Sequence, residues 1–499
     1  MKDFLQKISG NSLLHFMLIF VAATAFYSYK LGFSDMWSDE VYTKTMLGGT
    51  LPEFFARFGN DLHPPMYYFG LRLFTTIFGT DVVAMRLFSV LGVLSALLLG
   101  YFAGQRVFGK NGALYFCLML VALPMLAMYS HQARMYTWAA FSVTGVFLYA
   151  VLFIRTGSKR DLMLLLIFTL GAMYIHYYSL AAAFVANLFV FVYLLFTGNK
   201  TWRLHFVAML LAILLFLPWL LMFFTQVRKV QHAFWAPPVS WDTLLPCFTI
   251  PFTEQFWTSG FSTTLVILMY VLLAATTTLS FTKRFSPYRL AFWLSVTIYA
   301  GTLLLVSLIS LFSQPILYSR YVMTIVTMLA VPPALLLIII PFRWMRWVLA
   351  AVILFLGIRV TVSGFQFSYG PYKQTIEHIS ANYPEIRKIL HITEVTAGPL
   401  AEYNGNSGFK HYWLKAEMSN VDAFTNIRQF NRPDEFLQPG EEFCVVRFHE
   451  LELNMQNLDL VLSQSELVKK DTVRDSKMQD GIYMQLYFLK YLGTRDTIQ

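Results

Sequence analysis

The chain has 499 residues, of which 57% are hydrophobic, 17% aromatic and only 13% charged, with a formal net charge of +10. Soluble domains carry charge on about a quarter of their residues, so an ordinary soluble domain is excluded and most of the length reads as membrane. Residues 1–365 hold 24 Lys+Arg against 10 Asp+Glu, and residues 366–499 hold 14 against 18. The basic excess therefore belongs to the short loops of the apolar part and gives no nucleic-acid signal. Three scattered cysteines, Cys117, Cys247 and Cys444, have no metal-ligand spacing and predict no disulfide framework.

In chain order, apolar runs long enough to cross about 30 Å of hydrocarbon fall at 12–31, 82–103, 112–129, 137–154, 162–178, 180–196, 204–224, 261–281, 290–312, 321–340 and 346–363. That predicts about eleven transmembrane helices in an all-α polytopic protein. "HYYS" (176–179) divides the fifth run from the sixth. "VAATA" (21–25) also fits a signal-peptide cleavage site, and cleavage there leaves 32–81 on the same side of the membrane.

The connections "QRVFGK", "RTGSKR", "GNKTWR", "TKRFSPYR" and "FRWMR" are basic and fall on alternate sides of successive spans. With Lys2 and Lys7 they mark the cytoplasmic face. The other face then receives 32–81, "SHQARMY" (130–136), "HYYS", 225–260, "SQPILYSR" (313–320) and the tail. "HPPMYYFGLRLFTTIFG" (63–79) is too short for a span and contains Arg72. It is expected to lie in the interface as a helix started by Pro64 and Pro65.

These assignments give a transmembrane domain, 1–365, with a first extracytoplasmic loop over 32–81. The tail, 366–499, is charged, with helix-like "YKQTIEHISANY" and strand-like "KILHITE", "EFCVVRF" and "GIYMQLYFLKYL". It is expected to form a small extracytoplasmic α/β domain.

Six of the ten acids of residues 1–365 lie between 32 and 81: Asp35, Asp39, Glu40, Glu53, Asp61 and Asp81. Loops assigned to the same face add Arg134, His176 and Arg320, with Tyr136, Tyr177, Tyr178, Tyr318 and Tyr321 beside them. The span centres lack ionisable residues, which argues against an ion or proton path. Carboxylates, guanidinium groups and aromatics at an outer surface suit attack of an acceptor on a sugar carried by a lipid phosphate. A carboxylate takes the acceptor's proton, Arg and His stabilise the departing phosphate, and aromatic faces hold the sugar. In an extended segment neighbouring side chains point to opposite sides. Asp39 is therefore assigned as the base and Glu40 as a support for the loop or a cation. Trp37 and Tyr42 flank them as belt aromatics or sugar platforms.

The ordered set "WSDEVYT", "HPPMYY", "SHQARMYTW", "MYIHYYSL" and "YSRYVMTIV" closely resembles the multi-spanning glycosyltransferases of the GT-C fold. The nearest likeness is the family 39-like group, related to protein O-mannosyltransferases, the lipid A aminoarabinose transferase and rhizobial galacturonosyltransferases. The resemblance spans roughly residues 10–340. It implies a polyprenyl-phosphate sugar donor, an extracytoplasmic acceptor, inversion at the anomeric carbon and a bacterial inner (plasma) membrane location. By the same resemblance Asp39 and Glu40 match the catalytic acidic motif. His63 falls near the donor phosphate and Arg134 in the second outer loop. O-mannosyltransferases usually place a lysine after HPP, whereas this chain has "MYY", which argues against mannose and protein acceptors.

The candidate site is thus catalytic Asp39 and Glu40, with His63, Arg134, Tyr136, His176, Tyr177 and Arg320 on the substrate. No cofactor is assigned, although Asp39, Asp61 and His63 are ligand types that accept a divalent cation. The expected partners are donor, acceptor and membrane lipid, with no nucleic acid. The main alternative is a polytopic transporter or lipid flippase, which predicts broken helices in an inverted repeat or ionisable groups along a route; neither is evident. A cytoplasmic nucleotide-sugar enzyme needs a Gly-rich phosphate loop after a strand, and none occurs. A binding scaffold that recruits a partner through its tail leaves the acid cluster without a role.

Overall fold

A computed structural model describes residues 11–59, 61–232, 236–254, 257–405, 407–414, 427–448, 455–477 and 482–493. Lys2 and Lys7 lie outside the described residues. The chain divides into two compact units: a helical unit of residues 1–31 and 58–365, and a second unit of residues 32–57 and 366–499.

From the amino end, α1 (Ser12–Ser28) precedes two short helices of the second unit, α2 (Ser38–Leu47) and α3 (Leu51–Arg57). The helical unit continues with α4 (Met66–Phe78), α5 (Val82–Phe102), α6 (Gly104–Val121), α7 (Pro124–Ser130), α8 (Tyr136–Thr156), α9 (Lys159–Ile175) and α10 (Tyr177–Phe196). It is completed by α11 (Trp202–His232), α12 (Trp241–Thr249), α13 (Gly260–Leu279), α14 (Arg289–Phe312), α15 (Val331–Ile339) and α16 (Arg343–Gly364).

Among the described residues eight helical segments are long and apolar enough to cross a membrane, and the bent pair α6–α7 makes a ninth. The chain is a multi-pass membrane protein. The two remaining expected spans are the helices α1 and α9, of 17 residues each. At 1.5 Å per residue each rises about 26 Å, just under the hydrocarbon thickness. The seventeen of α9 also begin with Lys159, Arg160 and Asp161.

Why the third expected span is broken is written in its own residues. Pro124 has no N–H to continue a helix, and Leu123 before it is extended (φ −83°, ψ 108°), so α6 and α7 meet at 64°. At its other end Gly109 takes φ 78°, which turns the chain inside the basic "QRVFGK" connection.

The basic connections gather at one end of the helical unit. Arg106 makes a bidentate pair with Asp161 (2.7 and 2.8 Å), and Asp161 also accepts from Thr156 Oγ1 at 2.8 Å. Arg155 donates to the carbonyls of Val107 (2.8 Å) and Pro287 (2.7 Å). Because α8, α9 and α10 run antiparallel, Arg134, Tyr136, His176 and Tyr177 stand at the opposite end.

Within residues 63–79 a short helix does form, α4, with Pro65 at its amino cap. Its Tyr67, Tyr68 and Leu71 are buried, while Leu73, Ile77 and Phe78 are exposed. Thirteen residues reach about 20 Å, too short to span, and the exposed apolar face fits an interfacial position.

In the second unit, α17 (Tyr372–Asn382), α18 (Glu394–Glu402) and α19 (Met455–Ser463) pack with six strands. These are β1 (Lys388–His391), β2 (Lys410–Leu414), β3 (Ile427–Phe430), β4 (Glu442–Phe448), β5 (Ser465–Arg474) and β6 (Tyr483–Tyr491), in the order β3-β2-β1-β4-β6-β5. The first four are parallel, and β6 and β5 add antiparallel. The sheet is α/β, as the tail's pattern predicts, and the expected strands become β1, β4 and β6. Strands β2 and β3, of five and four residues, were not read from sequence. Strand β5 is a mostly exposed edge whose "VKKD" carries charge and a register shift, features that discourage pairing with another chain.

Two tests follow from this packing. Gly357 of α16 lies against the α6–α7 break, where an added Cβ would stand 2.1 Å from the Ala122 carbonyl oxygen. Gly357→Ala is expected to cost about 2–3 kcal/mol by overpacking, read as a lowered thermal midpoint in detergent.

In the sheet, His391 and His411 are buried and joined Nε2 to Nδ1 at 2.9 Å, with His391 Nδ1 3.2 Å from Thr396 Oγ1. Thr396 donates its own proton to the Thr393 carbonyl, so His391 donates to Thr396 and His411 to His391. His411 Nε2 finds no partner among the described residues. Burial pushes His411 down to about 4, and burial with the neighbouring His411 pushes His391 down as well. The unfolded chain takes up protons near pH 6.5 while the folded one does not. Stability is therefore full above about pH 6.5 and falls as the pH drops to about 4, by up to about 3 kcal/mol for His411. Hydrogen exchange of the β1 and β2 amides, corrected for intrinsic rate, should accelerate over that window, and His411→Gln should flatten the dependence.

Candidate functional site

The helical unit gathers its polar groups around the turn "DLHPP". The Asp61 side chain is 2% exposed, and its Oδ1 accepts from Leu62 N–H (2.8 Å) and from His63 Nδ1 (3.1 Å). Burial alone would raise the Asp61 carboxyl. The charge and hydrogen bond of His63, the charge of Arg134 and the Leu62 amide outweigh it and hold the group below the usual carboxylate range. With Nδ1 donating to Asp61, His63 turns its other nitrogen away from the carboxylate.

Arg134, 4% exposed, precedes α8 on a turn fixed by Ser89, whose hydroxyl donates to the carbonyls of Gln132 (2.6 Å) and Arg134 (3.3 Å). His176 sits between α9 and α10 in extended conformation (φ −158°, ψ 140°), and its Nδ1 accepts from Tyr178 N–H at 3.1 Å. The proton must then reside on Nε2, which is buried without a partner among the described residues. Burial, then the positive charges of His63 and Arg134, lower the His176 pKa well below the ordinary value, so the ring is a neutral donor. Around it stand the rings of Tyr321 (5.1 Å), Tyr136 (5.6 Å) and His63 (5.7 Å).

Tyr177 donates to Gln226 Oε1 and accepts from Trp219 Nε1 at 3.1 Å. Gln226 in turn donates to the carbonyls of Phe58 and His63, each at 3.4 Å, tying the "DLHPP" turn to α11. The guanidinium of Arg320 lies 5.1 Å from the Tyr318 ring, and the Tyr318 amide bonds Tyr178 OH at 3.2 Å, which docks this loop on α10.

Of the residues singled out from sequence, His63, Tyr136 and His176 meet ring to ring, and Arg134 acts electrostatically on the same group. Tyr177 joins through Gln226, and Arg320 through Tyr318, whose ring is 5.9 Å from Tyr321. Asp39 and Glu40 belong to the second unit. They lie in the first turn of α2, not in an extended segment, so their side chains diverge by about 100° and not 180°. Carboxylates favour that end of a helix. Glu40 Oε2 accepts from Trp37 N–H at 3.4 Å, and Asp39 is half-buried. Sequence reasoning weighed Asp61 only as a metal ligand, although its D-x-H spacing was a signal for pairing with His63. Trp219, within the expected span 204–224, gave none; Gln226 was assigned to the outer connection 225–260, whereas α11 runs through it to His232. Among the described residues no group of three or more His, Cys, Asp or Glu is placed to hold a metal ion.

Comparison with known proteins bears on the architecture. Residues 62–222 match the family model described as dolichyl-phosphate-mannose-protein mannosyltransferase. The structure resembles ArnT from Cupriavidus metallidurans, solved bound to undecaprenyl phosphate, with a TM-score of 0.56 over 95% of this chain and 97% of that one. The chain has the GT-C glycosyltransferase fold. Sequence identity to ArnT is 14%. The Archaeoglobus fulgidus oligosaccharyltransferase, solved tethered to an acceptor peptide, is also similar, with a TM-score of 0.51, 11% identity and coverage of 97% of this chain and 74% of that one. Among curated protein sequences none matches.

Because the Asp61 carboxylate compensates buried positive charge, Asp61→Asn should lower the thermal midpoint in detergent by the equivalent of about 2–3 kcal/mol. Adding His63→Gln should cost little more, since both changes break one network, and a double-mutant cycle measures that coupling.

Proposed function

We propose that the chain is a membrane glycosyltransferase that moves a sugar from a polyprenyl-phosphate donor to an extracytoplasmic acceptor, with inversion and with Asp39 as general base. The observation that carries the reading is the cluster of Arg134, His63 and His176 at the end of the helical unit opposite its basic connections. One anionic side chain, Asp61, is buried there beside the Arg134 guanidinium, the His63 imidazole that donates to it and a second, neutral imidazole donor. Such a place is suited to a phosphate oxygen. The fold shared with ArnT and the match to a mannosyltransferase family model support a glycosyltransferase using a lipid-linked sugar.

In this reading Arg134 and His63 hold the donor phosphate and stabilise it as it leaves. His176 donates Nε2–H to a substrate oxygen. Tyr136 and Tyr177 line the sugar, Arg320 gives a second cationic contact, and Glu40 caps the helix that presents Asp39. The side carrying Arg134 and the second unit would be extracytoplasmic, since the positive-inside rule assigns the basic connections to the cytoplasm. The membrane would be a bacterial plasma membrane, and the acceptor a glycolipid, a cell-envelope glycan or a protein.

Asp39→Asn should lower turnover about 10²–10⁴-fold with donor binding unchanged, as loss of a general base does. Arg134→Met should instead weaken donor binding about tenfold or more. Both are read by transfer from a purified polyprenyl-phosphate sugar and by direct donor binding in detergent. Full turnover in Asp39→Asn would sink the assignment.

A further inference from the structure

The acidic segment is far from the tail in sequence, yet it folds as part of the same unit. Six contacts tie residues 34–44 to residues beyond 366. Ser34 Oγ accepts from Tyr369 N–H at 2.9 Å. Asp35 Oδ2 accepts from Lys373 N–H (2.9 Å) and its Oδ1 from Lys477 Nζ (3.1 Å), which makes Asp35 a long-range cap for the first turn of α17. Met36 N–H donates to Tyr403 OH at 2.8 Å. The Trp37 and Tyr369 rings stack at 5.0 Å and 10°. Lys44 pairs with Glu402 at 2.5 Å, and α18, which carries Glu402, packs on α2.

These contacts bracket Ser38–Glu40 on both sides. We infer that the C-terminal domain is the positioning frame of the acidic segment, with Asp35, Tyr369, Tyr403, Glu402 and Lys477 as positioning residues that fix where α2 presents Asp39. The inference goes beyond the proposed function, which assigns the domain no part, and its catalytic consequence rests on Asp39 being the base. A base works only when held to a fraction of an ångström, and about 1 Å of misplacement costs on the order of 10²-fold. Residues more than 300 positions along the chain therefore set turnover without touching substrate.

The test uses the full-length protein in detergent. In the double variant Tyr403→Phe/Lys477→Met, hydrogen exchange of the amides of 36–47 is expected to accelerate tenfold or more while β4 and β6 keep their protection. In the same variant kcat is expected to fall tenfold or more with donor KM unchanged. Lys477→Arg, which keeps the charge on Asp35, should restore both relative to Lys477→Met. Unchanged protection of 36–47 in the double variant overturns the inference. Accelerated exchange with undiminished kcat leaves the frame standing and removes Asp39 from the chemistry, so failure of the functional reading is separable. Tyr369→Leu removes the ring stack and spares the ion pairs. It decides the matter by the same exchange measurement should the double variant lose the protection of β4 and β6.

Discussion

A carboxylate that is 2% exposed must be compensated or neutralised, and Asp61 is compensated. His63 and Arg134 keep it charged, and that need binds together three stretches of sequence, "DLHPP", "SHQARMY" and "MYIHYYSL". Arg134 is held by Ser89 through its turn, His63 by Gln226 through its own carbonyl, and His176 by the amide of Tyr178. Each backbone anchor comes from a different helix. Arg134 and the two imidazoles therefore stay together, with one buried acid beside them. Burial, then its neighbours, keep His176 neutral, which leaves its Nε2–H as a donor.

That arrangement also explains why acid count was an incomplete guide. The sequence places six acids between 32 and 81, and reading them as one convergent cluster misses what carboxylates most often do near helix starts. Asp81 caps α5 through the amides of Val83 and Ala84, and Glu53 accepts from the amide of Thr50 before α3. Glu40 accepts from Trp37. These three were legible, since an acid within three residues of a helix start is a local pattern. Asp35 was not. The amide it caps, that of Lys373, lies 338 residues away, and no local pattern encodes such a pairing. Gln226 is the same case: from sequence it falls in the outer connection 225–260, and nothing local names its partners, the carbonyls of 58 and 63.

The spans divide along similar lines. Hydropathy finds apolar length, so the long helices and their basic connections were readable, although α11 runs to His232 and not to the expected 224. It does not find interruptions, and the segment 112–129 was taken as continuous although Pro124 stood within it. There the break is buried rather than exposed: all seven residues of α7 are buried, and Gly357 lets α16 approach the Ala122 carbonyl where the helix ends. Irregular backbone survives at membrane depth when protein surrounds it, as it does here. In the tail, β1, β4 and β6 stood out through apolar residues. The short parallel strands β2 and β3 depend on β1 and one another for their existence, so their sequences carry little of the information.

The partition of the chain changes what the tail can be said to do. The boundary between the two units is crossed three times, after residues 31, 57 and 365. A domain hung on one linker can be removed and leave its neighbour's loops intact, but this one cannot. Cutting at 365 would delete Tyr369, Lys373, Glu402, Tyr403 and Lys477, the partners of Ser34, Asp35, Met36, Trp37 and Lys44. Residues 32–57 would then lose those partners and keep contacts such as those of Arg57 with the carbonyls of Thr45 and Gly48, while holding about two dozen residues in place still costs their conformational entropy. Loss of activity on truncation therefore says nothing about acceptor capture. Point changes at the contacts themselves separate a domain that recruits from one that holds.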